Sequence, residues 1–175
     1  MIDVQDEEGR FVAPGERGEV VCRGTNLCGG YQSSPEATAA AFRDGWFRSG
    51  DIGVKDELGY VHLVDRSKDI IISGGFNVYP GEVEQVLWTH PAIQDCAVIG
   101  VPDEKWGEAV TAVVELKPGA NVGEDELIEL CKDRLGSVRT PKTVAIWDAL
   151  PRSNVGKVLK KDIRAHYWNA SGRTI

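Results

Sequence analysis

The sequence predicts an α+β fold: a small mixed β-sheet domain flanked by helices, preceded by a β-rich remnant of a larger N-terminal domain. Three observations predict it. From about Asp65 onward, short β-branched runs alternate with amphipathic helical patterns, the pattern of a sheet covered by helices. Before that point, short strands bounded by glycines and turn residues dominate, with a single short helix among them. The sheet that those early strands can form is marginal alone, and Met1 sits at the edge of what reads as a strand. The expected division is 1–65, β-rich and incomplete, and 66–175, an α+β domain.

Each element has a local reason. Gly18-Glu-Val-Val-Cys-Arg-Gly24 is a short strand between glycines. Residues 35–42 form a short helix with Ser34 as N-cap and Pro35 at its first position. Residues 50–65 read as a hairpin whose turn is 56–59 and whose return strand is 60–64. In the run 65–84 a charged turn feeds a β-branched strand, a glycine pair and a proline-led helix. This mix predicts a loop that swings and approaches a ligand closely, because glycine admits backbone conformations and contacts that other residues forbid. The helix started by Pro80 shows Val83, Val86, Leu87 and His90 on one face. Residues 96–101 and 109–116 are strands joined by a polar loop. Residues 125–135 are amphipathic, with Leu127, Ile128, Cys131 and Leu135 together. Residues 143–147 are a strand, and 157–168 a last helix with Leu159, Ile163 and Tyr167 inward.

Composition excludes several functions. A net charge of −7 over 175 residues argues against a nucleic-acid surface, while leaving room for one small basic nucleotide site. No apolar run approaches the length needed for a membrane span, and the N-terminus lacks the basic and apolar regions of a secretory signal. Cys22, Cys28, Cys96 and Cys131 form no CxxC pair; they read as reduced, mostly buried thiols of a cytoplasmic protein. His62, His90 and His166 are scattered and read as structural.

Four clusters carry chemistry. In Gly45-Trp-Phe-Arg-Ser-Gly-Asp51, an aspartate after a Ser-Gly turn either accepts backbone N–H bonds or faces paired ribose hydroxyls. In the run from Asp65, Arg66 and Lys68 are either part of a solvated charged turn or ligand-directed cations. In Pro102-Asp-Glu-Lys-Trp-Gly-Glu108, Trp106 either caps the core or stacks on a base. In Pro151-Arg-Ser-Asn-Val-Gly-Lys157, Lys157 either begins a helix, against the macrodipole, or reaches a developing negative charge. The phosphate-cradling GxxxxGK[ST] pattern is absent.

In this order and spacing, and with Gly30-Tyr-Gln-Ser-Ser-Pro-Glu-Ala-Thr38, the clusters closely resemble the C-terminal third of acyl-CoA synthetases. That superfamily also contains nonribosomal-peptide adenylation domains and firefly luciferases. The resemblance covers nearly the whole chain. It implies a ligase chemistry in which a carboxylic acid and ATP give an acyl-adenylate and pyrophosphate, after which the coenzyme A thiol displaces AMP. It implies Asp51 on the ribose hydroxyls with Arg66 assisting, Lys68 as the hinge of a mobile C-terminal domain, and Gly74 and Gly75 along the pantetheine channel. It further implies Trp106 near the coenzyme A nucleotide and Lys157 as the catalytic lysine of adenylation. The Ser73-Gly-Gly-Phe-Asn-Val-Tyr-Pro80 form resembles ligases of fatty or aromatic acids. The family's phosphate loop, acyl pocket and magnesium-coordinating residue have no counterpart here. The chain alone is therefore expected to be inactive without the missing N-terminal domain, and the face that domain would cover is expected to favour self-association. The alternative is a stand-alone, non-catalytic module that binds a partner domain, coenzyme A or a nucleotide.

Overall fold

A computed structural model describes residues 1–171, which divide into two compact units, Met1–Lys68 and the described residues from Asp69 onward. The division falls three residues beyond the 65/66 boundary expected from the sequence, so that Arg66 and Lys68 lie in the first unit.

The first unit is one antiparallel sheet. Its elements are β1 (Ile2–Gln5), β2 (Arg17–Cys22), α1 (Pro35–Ala41), β3 (Phe42–Arg43), β4 (Trp46–Lys55) and β5 (Val61–Arg66). The strands run in the order β1-β2-β4-β3, with β5 also on β4. Val4, Val20, Val21, Trp46 and Ile52 are its buried apolar residues, while Ile2, Phe11, Leu58, Tyr60 and Leu63 remain exposed. Ser34 does not cap α1 with its side chain as expected. Its carbonyl instead accepts both the amide and the hydroxyl of Thr38. The helix stops at Ala41 because Phe42 turns extended and pairs with Phe47.

The second unit contains β6 (Ile71–Ser73), β7 (Phe76–Val78), α2 (Pro80–Leu87), β8 (Ile93–Asp103), β9 (Gly107–Leu116), α3 (Glu124–Arg139), β10 (Thr143–Trp147) and α4 (Lys160–Ser171). β10 runs parallel to β9 and the other pairs are antiparallel, so the sheet is mixed, as the sequence predicts. Alternation along β8 and β9 splits the core into two layers. Val98, Val110, Ala112 and Val114 meet Val83 and Leu87 of α2 and Leu127 and Cys131 of α3. Ala97, Ile99 and Val113 meet Ile163 of α4, with Trp147 and Tyr167 alongside. Fully burying a Val or Leu side chain contributes about 1.5–3 kcal/mol. That exceeds anything that intrinsic propensity adds to α2, which has eight residues and no side-chain N-cap.

Two helix limits differ from expectation, while α3 breaks just past Leu135, where the expected amphipathic stretch ends. α2 ends at Leu87, so His90 lies beyond it and bonds Glu126 at 3.1 Å instead of extending the helical face. α3 is interrupted by Gly136 at φ 73°. The last helix starts at Lys160, not at residue 157, because Val158 pairs with Arg152 in an antiparallel bridge. Of the cysteines, Cys96 and Cys131 are buried, whereas Cys22 is half-buried and Cys28 exposed. No helix among the described residues is long and apolar enough to cross a membrane.

Candidate functional site

In the first unit, Asp51 and Arg66 are register partners across β4 and β5. The Arg66 Nε lies 3.0 Å from Asp51 Oδ1. Two register shifts flank Asp51, one between Glu19 and Val21 on the β2 side and one between Ile52 and Gly53 on the β5 side. Such bulges re-aim side chains. The backbone beneath Asp51 is fixed. Ser49 donates its hydroxyl to the Val20 carbonyl at 2.7 Å and accepts the Asp51 N–H at 3.1 Å. Gly50 donates its N–H to Glu19 Oε1 at 3.1 Å, and Glu19 is itself paired with Arg48. Among the described residues, Asp51 Oδ2 has no hydrogen-bond partner, which leaves one carboxylate oxygen for a ligand hydroxyl. Lys68, the last residue of the unit, is exposed in a single 3-10 turn, Ser67–Asp69, and makes no ion pair among the described residues.

In the second unit, Gly74 and Gly75 form the whole turn between β6 and β7, since Ser73 pairs with Phe76. Both have positive φ, 58° and 83°, the tight hairpin geometry that favours glycine. The expected swinging loop is therefore a closed turn. Its close approach is to Trp106: Gly74 donates its N–H to the Trp106 carbonyl at 2.8 Å, and the indole lies against the Gly74 Cα. Trp106 belongs to the β8–β9 loop, where Asp103 pairs with Gly107 and Asp103 Oδ1 accepts the N–H groups of Lys105 and Trp106. Lys105 Nζ and Lys142 Nζ lie 4.7 and 5.2 Å from the centroid of its ring. Trp106 as a residue is 36% exposed, so neither capping the core nor open stacking describes it alone. It forms a wall of aromatic surface and two cations beside the glycine turn.

Lys157 sits in a hairpin loop rather than on a helix, so the expected conflict with a macrodipole does not arise. Its carbonyl accepts the Ser153 N–H at 2.8 Å, and its own N–H bonds Ser153 Oγ at 3.2 Å. Gly156, at φ 83°, closes the loop onto the Ser153 carbonyl. The Lys157 side chain is exposed and makes no ion pair among the described residues. The loop is tied to the sheet by Arg152, which the sequence reading passed over. Its guanidinium reaches Asp95 at 2.8 Å, Glu115 at 3.1 Å and the Gly156 carbonyl at 3.3 Å. The Asp95 bond, then that of Glu115, raises the guanidinium pKa above its ordinary value.

The structure thus brings together Asp51 with Arg66, and Gly74 with Gly75 and Trp106, while Lys157 stands on a separate hairpin of the second unit. Lys105, Lys142 and Arg152 are additions to the sequence-predicted residues. Arg152 lay within the motif that singled out Lys157, but its partners come from strand pairing. No group of three or more ligating side chains fit to hold a metal occurs among the described residues.

Residues 82–157 match the family model described as the AMP-binding enzyme C-terminal domain. The chain is 46% identical, over 97% of its length, to a medium/long-chain-fatty-acid–CoA ligase of Mycobacterium tuberculosis, of which it covers 31%. It is 49% identical, over 91% of its length, to a feruloyl-CoA synthase of an Amycolatopsis species, of which it covers 32%. It superposes on ATP-bound MatB from Rhodopseudomonas palustris with a TM-score of 0.92 at 41% identity, covering 97% of this chain and 34% of that one. The chain thus spans about a third of the length of the curated relatives it matches.

Proposed function

We propose that this chain works as the C-terminal part of an AMP-forming acyl-CoA ligase, a reading supported by the match of residues 82–157 to the AMP-binding enzyme C-terminal domain. The reaction is formation of an acyl-adenylate from a carboxylic acid and ATP, followed by displacement of AMP by the coenzyme A thiol. One observation carries the reading. Lys157 is an exposed, unpaired cation on a loop whose backbone is bonded in both directions to Ser153. Adenylation brings an anionic carboxylate up to an anionic phosphate. A preorganised cation offsets that repulsion, and losing one such contact raises the barrier by about 3–4 kcal/mol.

Asp51 offers its free carboxylate oxygen to the ribose hydroxyls of ATP, with Arg66 holding the other oxygen. Gly74, Gly75 and Trp106 border the path of coenzyme A, where the glycine turn has no side chain to obstruct a narrow pantetheine arm. Lys68 is the hinge, at the last residue of the first unit. Magnesium would be held by residues of the ligase outside this chain. Similarity to a fatty-acid ligase and to a feruloyl-CoA synthase supports a fatty or aromatic acid as the substrate class. Four free thiols, one of them exposed, support a reducing, cytoplasmic setting. The exposed apolar residues of the first unit are the surface through which the chain meets a large N-terminal domain or a second copy of itself.

The test is Lys157→Ala in the ligase that contains this segment. Adenylation, followed by ATP–pyrophosphate exchange, is expected to fall about a hundredfold or more. Thioester formation from supplied acyl-adenylate is expected to persist. Equal loss of both steps would remove Lys157 from the role given to it.

A further inference from the structure

We propose that Arg152 is a positioning residue for Lys157, acting through a brace that it forms with Asp95 and Glu115; this rests on the adenylation role of Lys157. Asp95 and Glu115 are direct register partners across β8 and β9. Two carboxylates facing each other on an antiparallel pair repel and weaken the sheet. Here one guanidinium lies between them, donating from Nη1 to Asp95 and from Nη2 to Glu115. The planar fork of arginine suits two acceptors at once, which a lysine ammonium on its flexible stem does not reproduce.

The remaining contacts transmit this grip to the loop. Arg152 Nη1 also reaches the carbonyl of Gly156, the residue immediately before Lys157. Glu115 Oε2 accepts the Leu150 N–H at 2.9 Å, tying the start of the segment to the same carboxylate. Asp95 is fixed in turn, since its Oδ1 accepts the Cys96 N–H at 2.9 Å and the Trp88 indole N–H at 3.2 Å. The like-charge pair on the sheet thus acts as an anchor that only a bridging cation completes. The cation that completes it carries the loop presenting Lys157.

The test compares Arg152→Lys with Lys157→Ala. In the chain itself, backbone NMR order parameters of Gly156 and Lys157 are expected to fall in Arg152→Lys from about 0.85 to below about 0.6, while those of β8 and β9 stay unchanged. In the ligase containing this segment, adenylation kcat is expected to fall about tenfold to a hundredfold with KM for ATP unchanged. Thioester formation from supplied acyl-adenylate is expected to hold. Unchanged order parameters, or equal loss of both half-reactions, overturns the proposal. If Lys157→Ala leaves adenylation intact, the functional reading fails instead, and the order parameters still decide whether the brace exists. Should Arg152→Lys not fold, Glu115→Gln removes one charge of the anchor while keeping an oxygen for Leu150, and the same readouts apply.

Discussion

Gly74 lies so close beneath the Trp106 indole that a Cβ built on it would come within 2.9 Å of Cε3. Gly75, its neighbour in the same turn, has no atom within 4 Å of such a Cβ. The two glycines have similar positive φ but different surroundings, so two separate costs can be told apart. Gly75→Ala is expected to lose about 1–2 kcal/mol, the cost of a left-handed L-residue. Gly74→Ala is expected to lose about 1 kcal/mol more, because the ring must shift. Urea denaturation measures both, and Trp106 fluorescence should change only in Gly74→Ala. Equal losses would mean that the indole yields without cost.

Lys160 Nζ lies 2.8 Å from the buried Glu84 carboxylate, whose Oε1 also accepts the Val98 N–H at 2.7 Å. This pair joins α2, α4 and β8. Breaking a buried ion pair from one side costs about 3–5 kcal/mol. Lys160 keeps some contact with water, at 23% exposure, so Lys160→Met is expected to fall below that range, at about 2–3 kcal/mol. Glu84→Gln keeps an acceptor for Val98 and should cost less, about 1 kcal/mol. Chemical denaturation of the two variants gives the order, and the reverse order would show that water already solvates Glu84.

Burial raises the Cys96 thiol pKa, with the negative charges of Glu84 and Asp95 adding to it, and pushes Cys131 up to about 11 from an ordinary 9.0. A thiol whose folded pKa is raised adds stability that is fully present below pH 9 and is lost as pH rises through the folded value. An alkaline decline beginning near pH 9 is therefore expected, with the Cys131 share gone above about pH 11. Thermal midpoints of Cys131→Ala across this range should decline less steeply. A disulfide reagent at pH 8 should modify Cys28 quickly, Cys22 slowly and the buried pair only on unfolding. Fast reaction of four thiols in the native chain would contradict these environments.

Lys68 is exposed between two anchored neighbours. Arg66 is paired with Asp51 in the first unit, and Asp69 with Arg164 at 3.0 Å in the second. Brief trypsin treatment is expected to cut first after Lys68, giving fragments 1–68 and 69–175. Arg164→Gln frees Asp69 and should speed that cut. First cleavage elsewhere would argue against a hinge at this residue.

Sequence patterns carried most of the fold. The near-continuous apolar runs of β8 and β9 were legible because both of their faces are buried, and the apolar stripe of α3 because one of its faces is. The start of α4 was misread because Val158 and Leu159 continue the helical spacing of Ile163. Pairing of Val158 with Arg152 is a tertiary choice that spacing does not encode. The Gly74–Gly75 turn was legible as glycine-rich, but its tightness depends on Ser73 meeting Phe76. Asp51 and Arg66 were visible as motif residues, and their contact follows from the hairpin. The Asp95–Glu115 pair was hidden because it depends on exact strand register, including a shift between Ile93 and Asp95.

β9 has a consequence of its own. Its first residue, Gly107, pairs with Ser73 beside the glycine turn, and Glu115, near its far end, holds Arg152. At roughly 3.4 Å per residue those points are about 27 Å apart along a single strand. The strand works as a rigid spacer, too long for one ligand-sized cavity to touch both ends. Under the proposed function, a reaction centre that engages the glycine turn would lie far from the Arg152 anchor of the lysine hairpin. On that reading, exchanging one for the other would reorient the whole unit about Lys68.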